Sequence, residues 1–175
     1  MRSLYDIVEG SGHILNRLGS GSSGVVYKVG NNKVRKTFRL ESKYNNITKE
    51  KSIIESWSRI KRGLKVIPYI TDVNNEGYTM DAFVTPCDEG KLIEKVLWKC
   101  LYSPYRRDWD KNKIQKAVGL VGQESADWVM GWLDDYCDDV KMILGGKSIS
   151  DDIRSANIGK TRDGRVVCFD WFSVY

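Results

Sequence analysis

The chain has 175 residues, of which 41% are hydrophobic and 29% charged, with six Trp and nine Tyr. That is too apolar for a disordered chain and too short for two large independent cores, so one domain or two small lobes is expected. A net charge of +5, mixed in sign, permits an acidic partner without demanding one. The opening MRSLYDIVEGSGHI lacks the basic-then-apolar layout of a secretory signal, and no run approaches the roughly 18 apolar residues that cross a bilayer. A cytoplasmic protein with no membrane partner is therefore expected. Cys87, Cys100, Cys137 and Cys168 are scattered without a CxxC, and the single His13 cannot complete a usual zinc set, so the cysteines read as reduced, mostly buried thiols. The basic clusters Arg59, Lys61, Arg62, Lys65 and Arg106, Arg107 have no interleaved aromatics and read as solvated faces, so nucleic-acid binding is not indicated.

In chain order, HILNRLGSGSSGVVYKVGNNKVRKTF (13–38) predicts three antiparallel strands joined by a Gly/Ser turn and a Gly-Asn-Asn turn. NITKEKSIIESWSRIK predicts an amphipathic helix, with Ile47, Ile53, Ile54, Trp57 and Ile60 on one face and Asn46 as its cap. KVIPYITDV and GYTMDAFV predict two more strands of the same sheet, the first near an edge because of Pro68. Beyond Pro86 the pattern becomes helical: Leu92 to Leu101, Ile114 to Val121, and a long helix from Ser125, as cap, to Leu144, stopped by Gly145 and Gly146. Asp163-Gly164 between Ile158–Lys160 and Arg165–Phe169 predicts a hairpin.

Gly19, Gly21 and Gly24 in LGSGSSGVVYKV form a GxGxxG followed by Val26. A dinucleotide-binding fold needs a helix after those glycines, whereas Val25 to Val29 reads as a strand. Strand, glycine turn, strand suits a flap whose amides, with Gly19, Ser20 and Gly21 at its bend, close over phosphates; it also suits an ordinary flexible hairpin. Amide dipoles only partly offset a triphosphate, so such a flap needs a cation nearby. Lys36 is preferred over Lys33, Arg35 and Arg39 because strand alternation turns Val34, Lys36 and Phe38 to one face. A buried ammonium requires a carboxylate. Glu50 on the following helix is the first choice, and Glu55 rivals it.

In DDIRSANIGKTRDGRVVCFDWF, Asn157 follows Asp152 by five residues and Asp170 follows Asn157 by thirteen. The set offers one candidate base and two oxygen ligands, with no thiolate or imidazole, which matches magnesium. The Asp163-Gly164 hairpin folds the intervening residues back, so Asn157 and Asp170 can meet at its open end.

Taken together these segments resemble a protein kinase over residues 18 to 172. LGSGSSGVVYKV resembles the glycine-rich loop, VRK the strand-three lysine, DIRSAN the catalytic loop and FDWF the metal-binding segment. The resemblance implies ATP and Mg²⁺ as cofactors. It makes Asp152 the residue that orients or deprotonates the accepting hydroxyl, Asn157 and Asp170 the metal ligands, and Lys36 the grip on the α- and β-phosphates, fixed by Glu50. Arg154 stands where these enzymes carry a lysine beside the transferred phosphate, and Met80 to Phe83, including Asp81, would be the connector whose backbone meets adenine. Ser150 and Asp151 depart from the family's His-Arg, and Trp171 and Phe172 from its Phe-Gly. The sequence runs five residues past Asp170, without the family's activation segment and later helices. That layout resembles the early serine/threonine kinases of short-tailed lytic bacteriophages, which implies a host-takeover factor acting on host proteins, including transcription machinery.

The expected fold is α+β and two-lobed: residues 1–85 as a five-stranded antiparallel sheet with one helix, and 86–175 as an abbreviated, mostly helical lobe. The expected reaction is transfer of the ATP γ-phosphoryl group to a protein Ser or Thr. A small-molecule phosphotransferase of the antibiotic-kinase type and a non-catalytic pseudokinase-like binder are its rivals. Asp134, Asp135, Asp138 and Asp139 read as a solvated helix face or a lure for a basic substrate, and Trp128 and Trp132 as core residues or stacking platforms.

Overall fold

The structure is a computed structural model that describes residues 17–20, 24–30, 32–38, 47–145, 150–170 and 172–173. It is α+β, with four α-helices among the described residues, and the chain divides into two compact units. No helix among the described residues is long and apolar enough to cross a membrane.

The first unit holds the sheet: β1 (Arg17–Ser20), β2 (Gly24–Lys28), β3 (Lys33–Phe38), β4 (Ile70–Asn74) and β5 (Gly77–Asp81). The order is β1-β2-β3-β5-β4 and every pairing is antiparallel, as the turn chemistry predicts. Val34, Ile70, Tyr78 and Met80 are its buried apolar residues. β4 is an edge strand but begins at Ile70, not at residue 65. The reason is electrostatic: the amides of Lys65, Val66 and Ile67 all point at the Asp139 carboxylate instead of a neighbouring strand. The bend between β4 and β5 is closed by Asn74, whose Oδ1 accepts from Glu76 N and Gly77 N.

The second unit contains α1 (Ile47–Arg59), α2 (Asp88–Val96), α3 (Lys111–Val121) and α4 (Gln123–Leu144), with two small sheets. α1 packs on α4, burying Ile53, Ile54 and Trp57, and the Trp57 indole donates to Pro68 O at 2.8 Å. α2 runs on as one π-helical turn, Leu97–Leu101. α4 buries Val129, Trp132, Leu133, Tyr136, Val140 and Ile143 at the three- and four-residue steps that define one helix face. Its cap is Gly122, three residues before the expected Ser125, and it ends on Gly145 in the left-handed conformation. Trp132 is core, its indole donating to Val166 O, whereas Trp128 is exposed. All four cysteines are free; Cys100 and Cys168 are buried, Cys87 and Cys137 only half so.

β6 (Phe83–Val84), β8 (Ile158–Thr161) and β9 (Val166–Cys168) form a three-stranded sheet, with β8 and β9 joined by the expected Asp163-Gly164 hairpin. β7 (Ser150–Asp151) pairs with β10 (Phe172–Ser173). These two short sheets set the positions of the acidic residues near the C-terminus.

Candidate functional site

In the β7–β10 ladder Asp151 is opposite Phe172 and Ser150 is opposite Ser173. After β7 the chain passes through a 3₁₀ turn, Ser155–Asn157, into β8. The hairpin returns to Phe169, whose N–H bonds Asn157 O at 3.0 Å. Asn157 is 8% exposed, and its Nδ2 donates to Asp152 O and to Asp170 O, each at 2.9 Å. One side-chain amide therefore ties together the backbone of all three residues that the spacing singles out. Among the described residues nothing is bonded to its Oδ1.

The Asp152 carboxylate meets the Arg154 guanidinium in a two-pronged pair, Nε to Oδ1 and Nη2 to Oδ2, both at 2.6 Å. The Asp152 side chain is 18% exposed and that of Arg154 59%. A planar fork of this kind fixes the carboxylate plane as well as offsetting its charge. The loop is held from beneath by α2: Glu94 Oε2 accepts from Ser155 N at 3.1 Å, and the Trp98 indole donates to Ile153 O at 3.1 Å. Phe83, expected in the nucleotide connector, lies on β6 with its ring stacked on Phe169, centroids 3.9 Å apart.

Behind the loop lies a polar group that sequence reasoning missed. Asp151, noted only as a departure from a motif, accepts the Tyr136 hydroxyl at 2.9 Å and that of Tyr105 as well. Burial raises the Asp151 carboxyl above its ordinary value, against the pull of both hydroxyls. Burial and the Asp151 charge push Tyr105 up to about 12, and raise Tyr136 well above 10. Burial first, then carboxylates, pushes the Cys137 thiol up to about 12. The wholly buried Cys168 thiol is raised by burial and then by the charges of Asp170, Asp152 and Asp151.

These four groups fix the alkaline limit of the fold. The unfolded chain ionises its thiols near 9.0 and phenols near 10.0, whereas in the fold Tyr105 and Cys137 resist up to about 12 and Tyr136 and Cys168 are raised as well. Stability contributed by a raised pKa is full below the unfolded value and is lost as pH climbs to the folded one. The urea midpoint should therefore be level from neutral pH to 9 and fall steadily between 9 and 12; a flat profile there would contradict the buried thiol and phenol cluster.

In the first unit, Val26 is opposite Lys36 across β2–β3, and Tyr78 is opposite Lys36 across β3–β5. Lys36 is 5% exposed, as strand alternation predicts for an inward-facing residue. A Cβ at Gly24 would stand 2.2 Å from Thr37 O, and one at Gly77 would stand 2.0 Å from Lys36 O. Both positions thus require glycine because neighbouring backbone passes too close for any side chain. The Lys36 Cε comes within 3.5 Å of that same Gly24 Cβ position, so its stem passes beside the first residue of β2. Gly19 and Ser20 lie on β1, while Gly21 falls outside the described residues. Asp81 is engaged by Lys33, 2.7 Å away. Glu55, the rival partner for Lys36, is exposed on α1, and the Glu50 side chain lies outside the described residues.

Asn157 Oδ1 and the Asp170 carboxylate are the oxygens that could hold a cation, and a buried amide oxygen with no bonded partner among the described residues fits such a ligand. Among the described residues no three His, Cys, Asp or Glu side chains cluster as a metal site, so protein ligands alone would leave most of the coordination to water or phosphate. No protein-family model matches this chain, and no curated protein matches it.

Proposed function

We propose that the chain is a phosphotransferase of the protein-kinase type that moves the γ-phosphoryl group of ATP to a Ser or Thr hydroxyl of a protein. The observation that supports this reading best is the Asn157 amide clasping the backbone of Asp152 and Asp170. It joins a base and two hard oxygen ligands in the chain order and spacing that phosphoryl transfer uses. In this reading the acceptor oxygen forms its bond to the γ-phosphorus as the bridging β–γ bond breaks. The hydroxyl proton passes to Asp152, and ADP leaves with the bonding electron pair. Asn157 and Asp170 would hold magnesium, which supplies charge neutralisation for the phosphates when bound. Arg154 holds Asp152 in place and offers positive charge at the acceptor side. Lys36 and the glycine turn of the first unit are the proposed phosphate contacts.

A second reading, a binding module without turnover, draws on the Arg154 fork, since a carboxylate held on both oxygens has no free oxygen edge until that pair opens. One experiment separates the readings. The purified chain is incubated with γ-labelled ATP, Mg²⁺ and a bacterial extract. Labelled protein bands that weaken by about 10²–10⁴-fold in Asp152→Asn, with folding intact, support the kinase. Label confined to small metabolites supports a small-molecule phosphotransferase, and no label from a folded protein supports the binder.

A further inference from the structure

Beside the Asp152 loop, α2 carries a surface that plays no part in the chemistry above. The helix and its π turn bury Ile93, Val96, Leu97, Cys100 and Leu101 completely. On the other side Lys91, Lys95, Trp98, Lys99 and Tyr102 are all exposed; Lys95 follows Lys91 by four, the adjacent Trp98 and Lys99 follow Lys95 by three and four, and Tyr102 follows them by four and three, so they form one continuous stripe. Trp98 is 47% exposed even though its indole N–H is fixed to Ile153 O. Tyr102 holds φ at 61°, a conformation that non-glycine residues rarely adopt, at the close of the π turn. π turns and backbone outliers of this kind concentrate at functional sites.

The charges of the stripe do not cancel locally. Every acid of α2 is already engaged: Asp88 with Lys91, Glu89 with Lys160, Glu94 with the Ser155 amide. Among the described residues no carboxylate pairs with Lys95 or Lys99. A row of lysines at four-residue spacing works against its own helix, so the excess charge is not explained by helix stability. Lys116 extends the row, its Nζ 3.2 Å from the Tyr102 hydroxyl and 5.4 Å from the ring centroid. Glu94 and Trp98 bind the loop on either side of Arg154, so the stripe borders the residue that pairs with Asp152.

We propose that this stripe docks an acidic segment of the acceptor protein, its carboxylates on Lys95 and Lys99 and an apolar or aromatic side chain against Trp98. The proposal rests on the protein-kinase reading above. Charge complementarity favours a peptide over nucleic acid: Lys91 to Lys99 spans about 12 Å of helix, the reach of a few extended residues. A nucleic-acid footprint would need a longer basic track than these few lysines, which the acids Asp88 and Glu89 bound at one end.

The test uses the full chain with three synthetic serine peptides whose flanks are acidic, neutral or basic. The acidic peptide should show the lowest KM. The double variant Lys95→Glu/Lys99→Glu should raise that KM by about tenfold or more, leave kcat and the KM for ATP unchanged, and shift preference to the basic peptide. Lys95→Gln/Lys99→Gln, which removes charge without reversing it, should give a smaller loss of the same kind. In parallel, fluorescence anisotropy follows an acidic peptide with Ala in place of Ser, which reports docking without turnover. Equal KM values for the three peptides, or indifference to both double variants, overturn the proposal while leaving the kinase reading standing. Stripe-dependent binding of the Ala peptide with no turnover of any serine peptide supports the docking surface and removes the kinase reading instead. A single-stranded oligonucleotide that binds more tightly than the peptide and displaces it reassigns the stripe to nucleic acid and also overturns the proposal.

Discussion

Replacing Asp139 with alanine should cost about 3–5 kcal/mol, a large share of the roughly 5–15 kcal/mol that holds a domain together. Asp139 is 1% exposed and accepts from three consecutive backbone amides, Lys65 at 2.9 and 3.0 Å, and Val66 and Ile67 at 2.8 Å each. Burial pushes its carboxyl up while those amides pull it back down, which leaves a carboxylate that belongs to the 65–67 turn more than to its own helix. Removing it strands three donors, two of them on buried residues, and each such loss costs about 1–3 kcal/mol. The consequence reaches the candidate site, because Val66 O accepts from Cys168 N, two residues before Asp170. Asp139→Asn keeps one acceptor oxygen but turns an NH₂ toward the amides, so it should recover only part of the loss. Urea midpoints of the two variants against the parent give the measurement; a shift no larger than that of an exposed surface change would show the turn to be held by something else.

The Asn157 clasp predicts a split between stability and turnover. Asn157→Ala leaves two backbone oxygens without their donor and should destabilise by about 2–4 kcal/mol. Phosphoryl transfer should vanish with it. Asp170→Asn makes the informative contrast, since the clasp bonds the Asp170 carbonyl and not its carboxylate. That variant should lose less of the urea midpoint than Asn157→Ala yet lose about 10²–10³-fold in transfer, together with any magnesium-dependent rise in melting temperature. If Asp170→Asn retained full transfer, the proposed ligand role would be wrong even though the clasp is real.

The features legible in the sequence were those written in local turn chemistry and periodicity. β2 and β3, the Asp163-Gly164 hairpin and the apolar face of α4 follow from alternation, a two-residue turn and a three-to-four-residue stripe. The meeting of Asp152, Asn157 and Asp170 was legible because a short hairpin leaves its two ends few places to go. The roles of Asp139 and Asp151 were not. Asp139 shares its charge with Asp134, Asp135 and Asp138 on the same helix, and helical spacing cannot reveal that a distant turn brings three amides to only one of them. Nor are its companions simply solvated: Asp134 pairs with Arg106 and Asp135 with Lys65. Asp151 has the same character, since the tyrosines that cap it come from residues 105 and 136, outside any sequence window. Lys65 to Pro68 misled in the opposite sense, because Val and Ile there mark core contact, not a ladder.

α1 lies in the chain between β3 and β4, yet it groups with the helical unit, while Lys36 on β3 pairs with Tyr78 on β5 across that insertion. A fragment cut near residue 85 would thus carry off a complete sheet along with an orphaned helix, its Trp57 side stripped of the α4 surface that covers it. Such a piece invites self-association, and dissecting this protein into soluble halves calls for excising 46–69 or grafting it onto the other half.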